Sequence, residues 1–504
     1  MNSSLLAPRK WIVAIILIFV FGLGSVIRIY DLKDVPLDFH ATRQLHSAII
    51  SRGMYYQQLD TAPQWKQEMT LEQWEKEPHV EPWVLERLTA LTFGLVGFEA
   101  LWIPRVYSIL FWLLGGIGLF LLVRDRIGLD GAFLSVAYFL MLPYGALASR
   151  AFQPDPLMVA MIIFSWWGMS KWVEHKNWKW VIISALISGL AIFIKSVAVF
   201  FVGVPWIFVI LSQKNLKRSL KDGQTWVLAA LTVLPYAGYH IYGVYIDGFL
   251  RSEFSLRFFP QLWLDPVFYL RWINMIASTI GFEWFIVALI GILLIKERST
   301  RMMMSGVFVG YLIYGFTLSY HISTHDYYQL PLIAFTAIGI GAAGQTALKN
   351  ISIDKKVARI VLYGLLALVM ILKAWDVRVK LKQVDYRNEV AVWENLGNKI
   401  GQSSSVVGLT QDYGYRLGYW GWVVSENWMT SGDYNLNTLA GNDMTNMQEI
   451  FSEMVAGKDY FVVTMFGELE HQPALKSLLY SGYEIKEETS DYVIFDLNQP
   501  LIEE

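Results

Sequence analysis

Apolar runs of about 15–24 residues, separated by short charged segments, occupy most of the chain between Trp11 and Leu372. Each is long enough to cross a bilayer with some tilt. The pattern predicts a polytopic α-helical membrane protein with about eleven spans. They are Trp11–Ile29, Trp102–Val123, Gly131–Ala148, Pro156–Val173, Trp180–Ile194, Ser196–Leu211, Thr225–Tyr245, Trp272–Ile295, Met302–Tyr320, Leu330–Ala347 and Val357–Leu372. The first run follows Arg9 and Lys10, but it is too long for a signal-peptide core and is expected to stay as an uncleaved span.

Two regions break the pattern. The first is the polar loop Asp31–Leu101, too long to be a simple connector. Pro36 and Asp38 predict a helix over Phe39–Tyr56, with Asp38 as its N-cap. Gln57–Gln73 reads as a polar middle. Trp83–Val96 reads as a helix too short to span, lying at the interface. The second region begins near Asp385. A helix over Tyr386–Ile400 leads to strands in Ser405–Thr410 and Tyr460–Met465. A helix ending at Gly482 and strands after it, the last over Tyr492–Leu497, complete a small α/β domain. The expected division is a membrane domain over 1–382, with 31–101 as its first loop, and an α/β domain over 383–504.

Composition agrees with this class. The chain is 55% hydrophobic and 17% charged, against about 25% charged in soluble proteins. Its net charge of −2 and lack of a basic tail give no sign of nucleic-acid binding, and with 0 cysteines it has no disulfide or thiolate chemistry. The basic residues fall on alternate loops, from Arg9 and Lys10 through Arg124, Lys176, Lys217 and Arg298 to Lys355, so that side is expected to be cytoplasmic. The odd span number then places the C-terminal domain outside. The same rule puts the loop Asp31–Leu101, the turn Ser149–Asp155, the segment Ile246–Arg271 and the turn His321–Tyr328 on that outer face of a cell membrane.

Those outer segments hold the candidate chemistry. Asp38, His40, Arg43, Gln44 and His46 crowd together just beyond the first span, where polar groups need water, a partner or a ligand. Asp38 can take a proton from an acceptor hydroxyl, or cap a helix, or both. Arg43 can hold a phosphate bidentately or sit as an ordinary interfacial cation. His40 and His46 are six residues apart, poor spacing for two metal ligands on one helix face. Arg105, Arg150, Asp155 and Lys195 stand at span ends, where long side chains also simply snorkel. Together they suit an anionic, phosphate-bearing ligand. His325, Tyr327 and Tyr328 suit phosphate or sugar contacts better than a metal. No cofactor is expected, and a divalent metal stays open.

These residues carry a resemblance. PLDFHATRQLHSAIISRGMYY, LWIPRVYSILFW, ASRAFQPDPLM, GLAIFIKSVAVF and THDYYQLPL occur in the order of five motifs of the GT-C membrane glycosyltransferases. The chain is most similar to glycosyltransferase family 39, which includes protein O-mannosyltransferases and aminoarabinose transferases. The first motif resembles a bacterial subgroup that reads Asp-x-His-x-x-Arg-Gln. Many members have Asp-Glu there, whereas Phe39 follows Asp38 here. The resemblance implies inverting transfer of a sugar from a polyprenyl-phosphate donor to an acceptor hydroxyl on a protein, lipid or polysaccharide. Asp38 would be the base, and Arg105, Lys195 and Arg43 would stabilise the leaving phosphate. The rival readings are a transporter or flippase for lipid-linked saccharide and an assembly protein acting through its α/β tail. The absence of a visible internal repeat counts against transport.

Overall fold

The structure, a computed structural model, describes residues 4–251, 257–351, 355–444 and 446–501. Part of the expected segment Ile246–Arg271, residues 252–256, lies outside the described residues. The chain forms two compact units. One comprises the residues up to Leu32, His79–Val84 and Arg105–Gln383; the other comprises Lys33–Pro78, Leu85–Pro104 and the chain from Val384 onward. Most of the long first loop therefore clusters with the C-terminal residues.

The first unit is helical. Among the described residues, five helices are long and apolar enough to cross a membrane, or six if one bent pair counts as a span. Lys10–Ile29 and Trp102–Arg126 lie where the pattern put them. Others are shorter apolar helices, such as Trp178–Ile194 and Ala198–Gln213. Two expected spans are interrupted. Gly131–Ala148 becomes Leu129–Met141 and Pro143–Ala148, because Pro143 has no N–H to continue the ladder. Trp272–Ile295 becomes Pro266–Thr279 and Phe282–Leu293, bent by 89°. Gly281, at φ +87, makes that bend; a Cβ there would meet Glu283 and Trp284 at 2.9 Å.

Apolar side chains face outward along these helices. Ile18 is 72% exposed and Leu293 73%, which suits contact with lipid rather than water. Inward, small residues let helices approach. A Cβ on Gly339 would stand 2.4 Å from the Ala288 carbonyl oxygen, so Leu330–Lys349 and Phe282–Leu293 pack backbone to backbone.

The second unit has a five-stranded sheet of β1 (Val406–Leu409), β2 (Ser425–Asn427), β3 (Tyr460–Val463), β4 (Tyr483–Glu488) and β5 (Val493–Pro500). Their order is β2-β1-β3-β5-β4. β1 pairs parallel with β2 and β3, and β5 pairs antiparallel with β3 and β4. Val407, Leu409, Phe461, Val463, Val493 and Phe495 point to one face and pack with Trp428, Leu475 and Leu479. Helices Ala41–Tyr56, Gln64–Glu75 and Val84–Val96 come from the first loop.

The first of these starts later than expected. Its N-cap is His40 in the left-handed region, at φ 43, with no side-chain cap. Asp38 lies in the preceding bend and does not cap the helix. The Gln44 amide explains the change: Nε2 donates to the carbonyls of Pro36 and Phe39, at 3.0 and 2.7 Å, and folds the loop back over the first helical turn.

Candidate active site

In the first unit, a charged centre forms where Trp178–Ile194 ends. Lys195 is the C-cap, in extended backbone, and only 6% exposed. Its Nζ lies 3.0 Å from both carboxylate oxygens of Asp155 and 3.5 Å from Oε1 of Glu81. Asp155 opens Asp155–His175, so the helix N-terminus also favours its negative charge. The Tyr327 and Tyr328 rings stand 5.1 and 5.8 Å from the same Nζ. Tyr144 faces Asp326 and Asp155. Thus Lys195, Asp155, Tyr327 and Tyr328, scattered in the sequence, meet here. Glu81 was missed: a Glu before Pro-Trp reads as a helix start, and only its place in an outer polar loop pointed to more.

His325 flanks this centre. Its Nδ1 is 2.8 Å from the Thr324 hydroxyl, and its ring lies 5.5 Å from His321 and 6.0 Å from Tyr328. Burial, then His325 and Arg257, push the His321 imidazole down to about 3. The turn is fixed by a chain of bonds: Trp272 Nε1 donates to the Tyr311 hydroxyl, which donates to Gln329 Oε1, while Gln329 Nε2 donates to the Ile322 carbonyl.

Near the charged centre, Ile192, Val197, Phe200, Val233 and Leu318 line an apolar groove of about 400 Å³ whose wall also includes Ser196, Tyr236, His240 and Arg257. Ser196 follows Lys195 in the chain, and Tyr236 hydrogen-bonds Ser196 and lies in the field of Glu81. The groove therefore pairs an apolar wall with one cation, Arg257, and the polar groups Ser196, Tyr236 and His240.

Arg105 and Arg150 do something different. Both are buried. Arg105 donates to the carbonyls of Arg150 and Leu32, each at 3.2 Å, and Arg150 to those of Tyr30 and Asp31, at 2.7 and 2.9 Å. Together they tie down the backbone that follows Lys10–Ile29, from its C-cap Tyr30 to Leu32, and Arg105 also ties down the turn at Arg150.

In the second unit, Asp38 is half-buried in its bend, with Pro36 and Phe39 held on either side of it by Gln44. The His40 ring meets Phe39 edge-on at 4.6 Å. Tyr386, which the sequence gave no reason to single out, is close enough that burial and then Asp38 raise its phenol above the ordinary range. Arg43 stands on the first turn of the helix, half-exposed. His46 does not reach His40: its Nδ1 is 2.5 Å from Glu77. Among the described residues no group of three or more His, Asp or Glu side chains could hold a metal.

Solved structures share this architecture. ArnT from Cupriavidus metallidurans bound to undecaprenyl phosphate matches with a TM-score of 0.60 at 13% identity, over 97% of this chain and 98% of that one. The oligosaccharyltransferase of Archaeoglobus fulgidus in its apo form matches at 0.57 and 12% identity, over 98% and 76%. AglB from the same organism, in complex with an inhibitory peptide and a dolichol-phosphate, matches at 0.56 and 12%, over 96% and 74%. The fold class is that of the GT-C membrane glycosyltransferases. Within it, residues 76–242 match the family described as dolichyl-phosphate-mannose-protein mannosyltransferase. That segment holds Glu81, Arg105, Arg150, Asp155 and Lys195; it starts after the Asp38 motif. No curated protein matches the chain by sequence.

Proposed function

We propose that the chain is a membrane glycosyltransferase that moves a sugar from a polyprenyl-phosphate donor to an acceptor hydroxyl. The groove beside Lys195 carries this reading: an isoprenoid chain suits its apolar wall, and a phosphate suits the end that bears Arg257. The fold supports it, since a protein of the same fold is known bound to undecaprenyl phosphate.

In the reaction, the acceptor oxygen attacks the anomeric carbon as the bond from that carbon to the phosphate oxygen breaks. The hydroxyl proton passes to Asp38, and the electron pair leaves with the lipid phosphate. A single displacement inverts the anomeric configuration. Arg43, Arg105, Lys195 and Arg257 are the cations proposed to balance the charge that develops on the phosphate. Lys195 already faces two carboxylates, so its share depends on how they are shielded when donor binds. Gln44 holds the backbone on either side of Asp38 with His40 next to it, Arg150 holds that of Tyr30 and Asp31, and Asp155, Glu81, His325, Tyr327 and Tyr328 are proposed to shape the donor's head-group end. The alternating basic loops support a reading in which this chemistry takes place on the outer face of a cytoplasmic membrane, with the C-terminal unit on that side.

The test is incubation of purified protein with a panel of polyprenyl-phosphate sugars and candidate acceptors. Release of free polyprenyl phosphate, with an inverted product linkage by NMR, is expected. Donor carried across a vesicle membrane without release would instead make the protein a transporter.

A further inference from the structure

The second unit contains a cavity that the transfer chemistry leaves unused. It has a volume of about 340 Å³ and is lined by Gln73, Glu77, Tyr413, Tyr415, Ser425 and Asn427, among others. Ser425 and Asn427 lie on β2, the edge strand of the sheet, with side chains on one face.

Three features mark it as built for a ligand. First, Gln73 is 5% exposed; its Nε2 donates to the Gly418 carbonyl at 2.9 Å, but its Oε1 accepts no hydrogen bond among the described residues. A buried amide oxygen left so costs about 1–3 kcal/mol unless a donor arrives. Second, the backbone at the rim is strained: Asp412, Tyr413 and Gly414 have φ of 53, 56 and 77 in succession. Two of them carry a Cβ, and such strain is held at sites that use it. It is held here by Thr42, which donates to Asp412 at 3.0 Å, by Arg416 at 2.5 Å, and by the Tyr413 hydroxyl, which donates to Asp433 at 3.0 Å. Gly414 must lack a side chain, because a Cβ would lie 2.6 Å from Ser425 Oγ and 2.7 Å from Asn427 Oδ1. Third, the Glu77 carboxylate is oriented before any ligand binds. His46 and the Tyr415 hydroxyl, at 2.5 and 2.8 Å, both meet Oε2, and Oε1 takes no bond among the described residues.

The chemistry of the lining selects the ligand. Acceptors predominate: the Gln73 amide oxygen, the Glu77 carboxylate and the Asn427 amide oxygen all seek donors. Lys76 is matched by Glu72 and Glu426 by Lys458, and the Glu77 carboxylate is hydrogen-bonded by His46 and Tyr415, so no cation is left over for an anion and a neutral molecule fits better. The Tyr413 ring, 42% exposed at the rim, offers an aromatic face to C–H groups. Many hydroxyl donors on one side and C–H groups on the other describe a sugar ring.

We propose that this cavity is a saccharide-binding site, taking a neutral sugar unit through Gln73, Glu77 and Asn427 with Tyr413 against its apolar face. Its role, to hold the sugar of a glycosylated acceptor, rests on the transfer reading above; its binding of sugar does not.

The experiment titrates the full-length protein in nanodiscs with methyl glycosides of glucose, galactose, mannose, arabinose and N-acetylglucosamine, read by saturation-transfer NMR. At least one should bind saturably. Gln73→Leu should weaken it about tenfold, the effect of one lost hydrogen bond to a buried partner. Asn427→Ala, on an exposed strand where folding is safe, should weaken it several-fold. Asp38→Asn should leave it unchanged. No saturable binding by any probe, or equal binding by wild type and both cavity variants, overturns the proposal. Release of polyprenyl phosphate is measured on the same nanodisc preparation supplied with polyprenyl-phosphate sugars and candidate acceptors: its absence alongside sugar binding would sink the transfer reading and leave the site standing.

Discussion

Lys195 and Asp38 are both charged groups in a mostly apolar protein, and the chain holds them in opposite ways. Lys195 is buried and neutralised by Asp155 and Glu81, so its position depends on ion pairs. Asp38 is half-buried on a bend whose shape depends on neutral hydrogen bonds from Gln44 to Pro36 and Phe39. An ion-paired centre is a structural liability when one partner goes, because the others keep the desolvation penalty. A carboxylate on a clamped loop can change protonation with little effect on the fold. The contrast suits the first region to stability and, on the function proposed above, the second to proton chemistry.

The largest test of that contrast is Asp38→Asn. It should lower the transfer rate by about 10²–10⁴, the worth of a positioned base. Its thermal midpoint should stay at the wild-type value, because no helix loses its cap. A turnover equal to wild type removes Asp38 as the base; an intact rate with a lower midpoint would make it a structural residue.

Next is Lys195→Met, which takes away the cation that Asp155 holds at 3.0 Å. It should destabilise the protein by about 3–5 kcal/mol, seen as a lower midpoint in detergent. Adding Asp155→Asn should recover part of the loss, since one orphaned charge goes with it. If the single variant melts like wild type while donor affinity falls, Lys195 is a phosphate ligand and the pairing is incidental.

Smaller still is Gln44→Leu. Two carbonyls lose their donor, at about 1–3 kcal/mol. The bend that carries Asp38 loosens, so kcat should fall while KM for the donor and the pH profile keep their wild-type values. Restoration by Gln44→Asn is not expected, because the shorter side chain cannot reach both Pro36 and Phe39. A variant with unchanged kcat would mean the bend holds itself.

How far these regions were legible follows from what each signal measures. Hydrophobic runs located Lys10–Ile29, Trp102–Arg126, β1, β3 and β5, because burial is what apolar residues report. They missed β2, whose Ser-Glu-Asn lies on an edge and buries little, and Gln64–Glu75, which shows hardly any apolar stripe. They also missed the bend at Gly281, one small residue within an apolar run. The Asp38 cap failed because Gln44, six residues on, supplies bonds that no local rule counts. The Lys195 centre needed Glu81, 114 positions away by number, and a pairing at that separation leaves no local trace. The fold class, by contrast, was legible: the resemblance to GT-C membrane glycosyltransferases agrees with the fold of the solved structures, and residues 76–242, which hold three of the five motifs, match the family model.

The last effect, which is small near neutral pH and grows only on acidification, tests the flank of the Lys195 centre. The His321 imidazole lies at about 3 in the fold, lowered first by burial and then by His325 and Arg257, against about 6.5 when unfolded. The unfolded chain therefore binds a proton over that window and the folded chain does not. His321 contributes stability that is fully present above pH 6.5 and is lost as pH falls towards about 3. Over the window the slope from this group is at most about 1.4 kcal/mol per pH unit. His321→Phe keeps a ring to stack between His325 and Tyr328 but cannot take the proton, so its thermal midpoint should fall less steeply than that of wild type below pH 6.5. Parallel curves would mean that His321 meets water in solution. The Lys195 centre would then be open on that side, and the contrast between a sealed ion-paired region and a clamped loop would lose its first half.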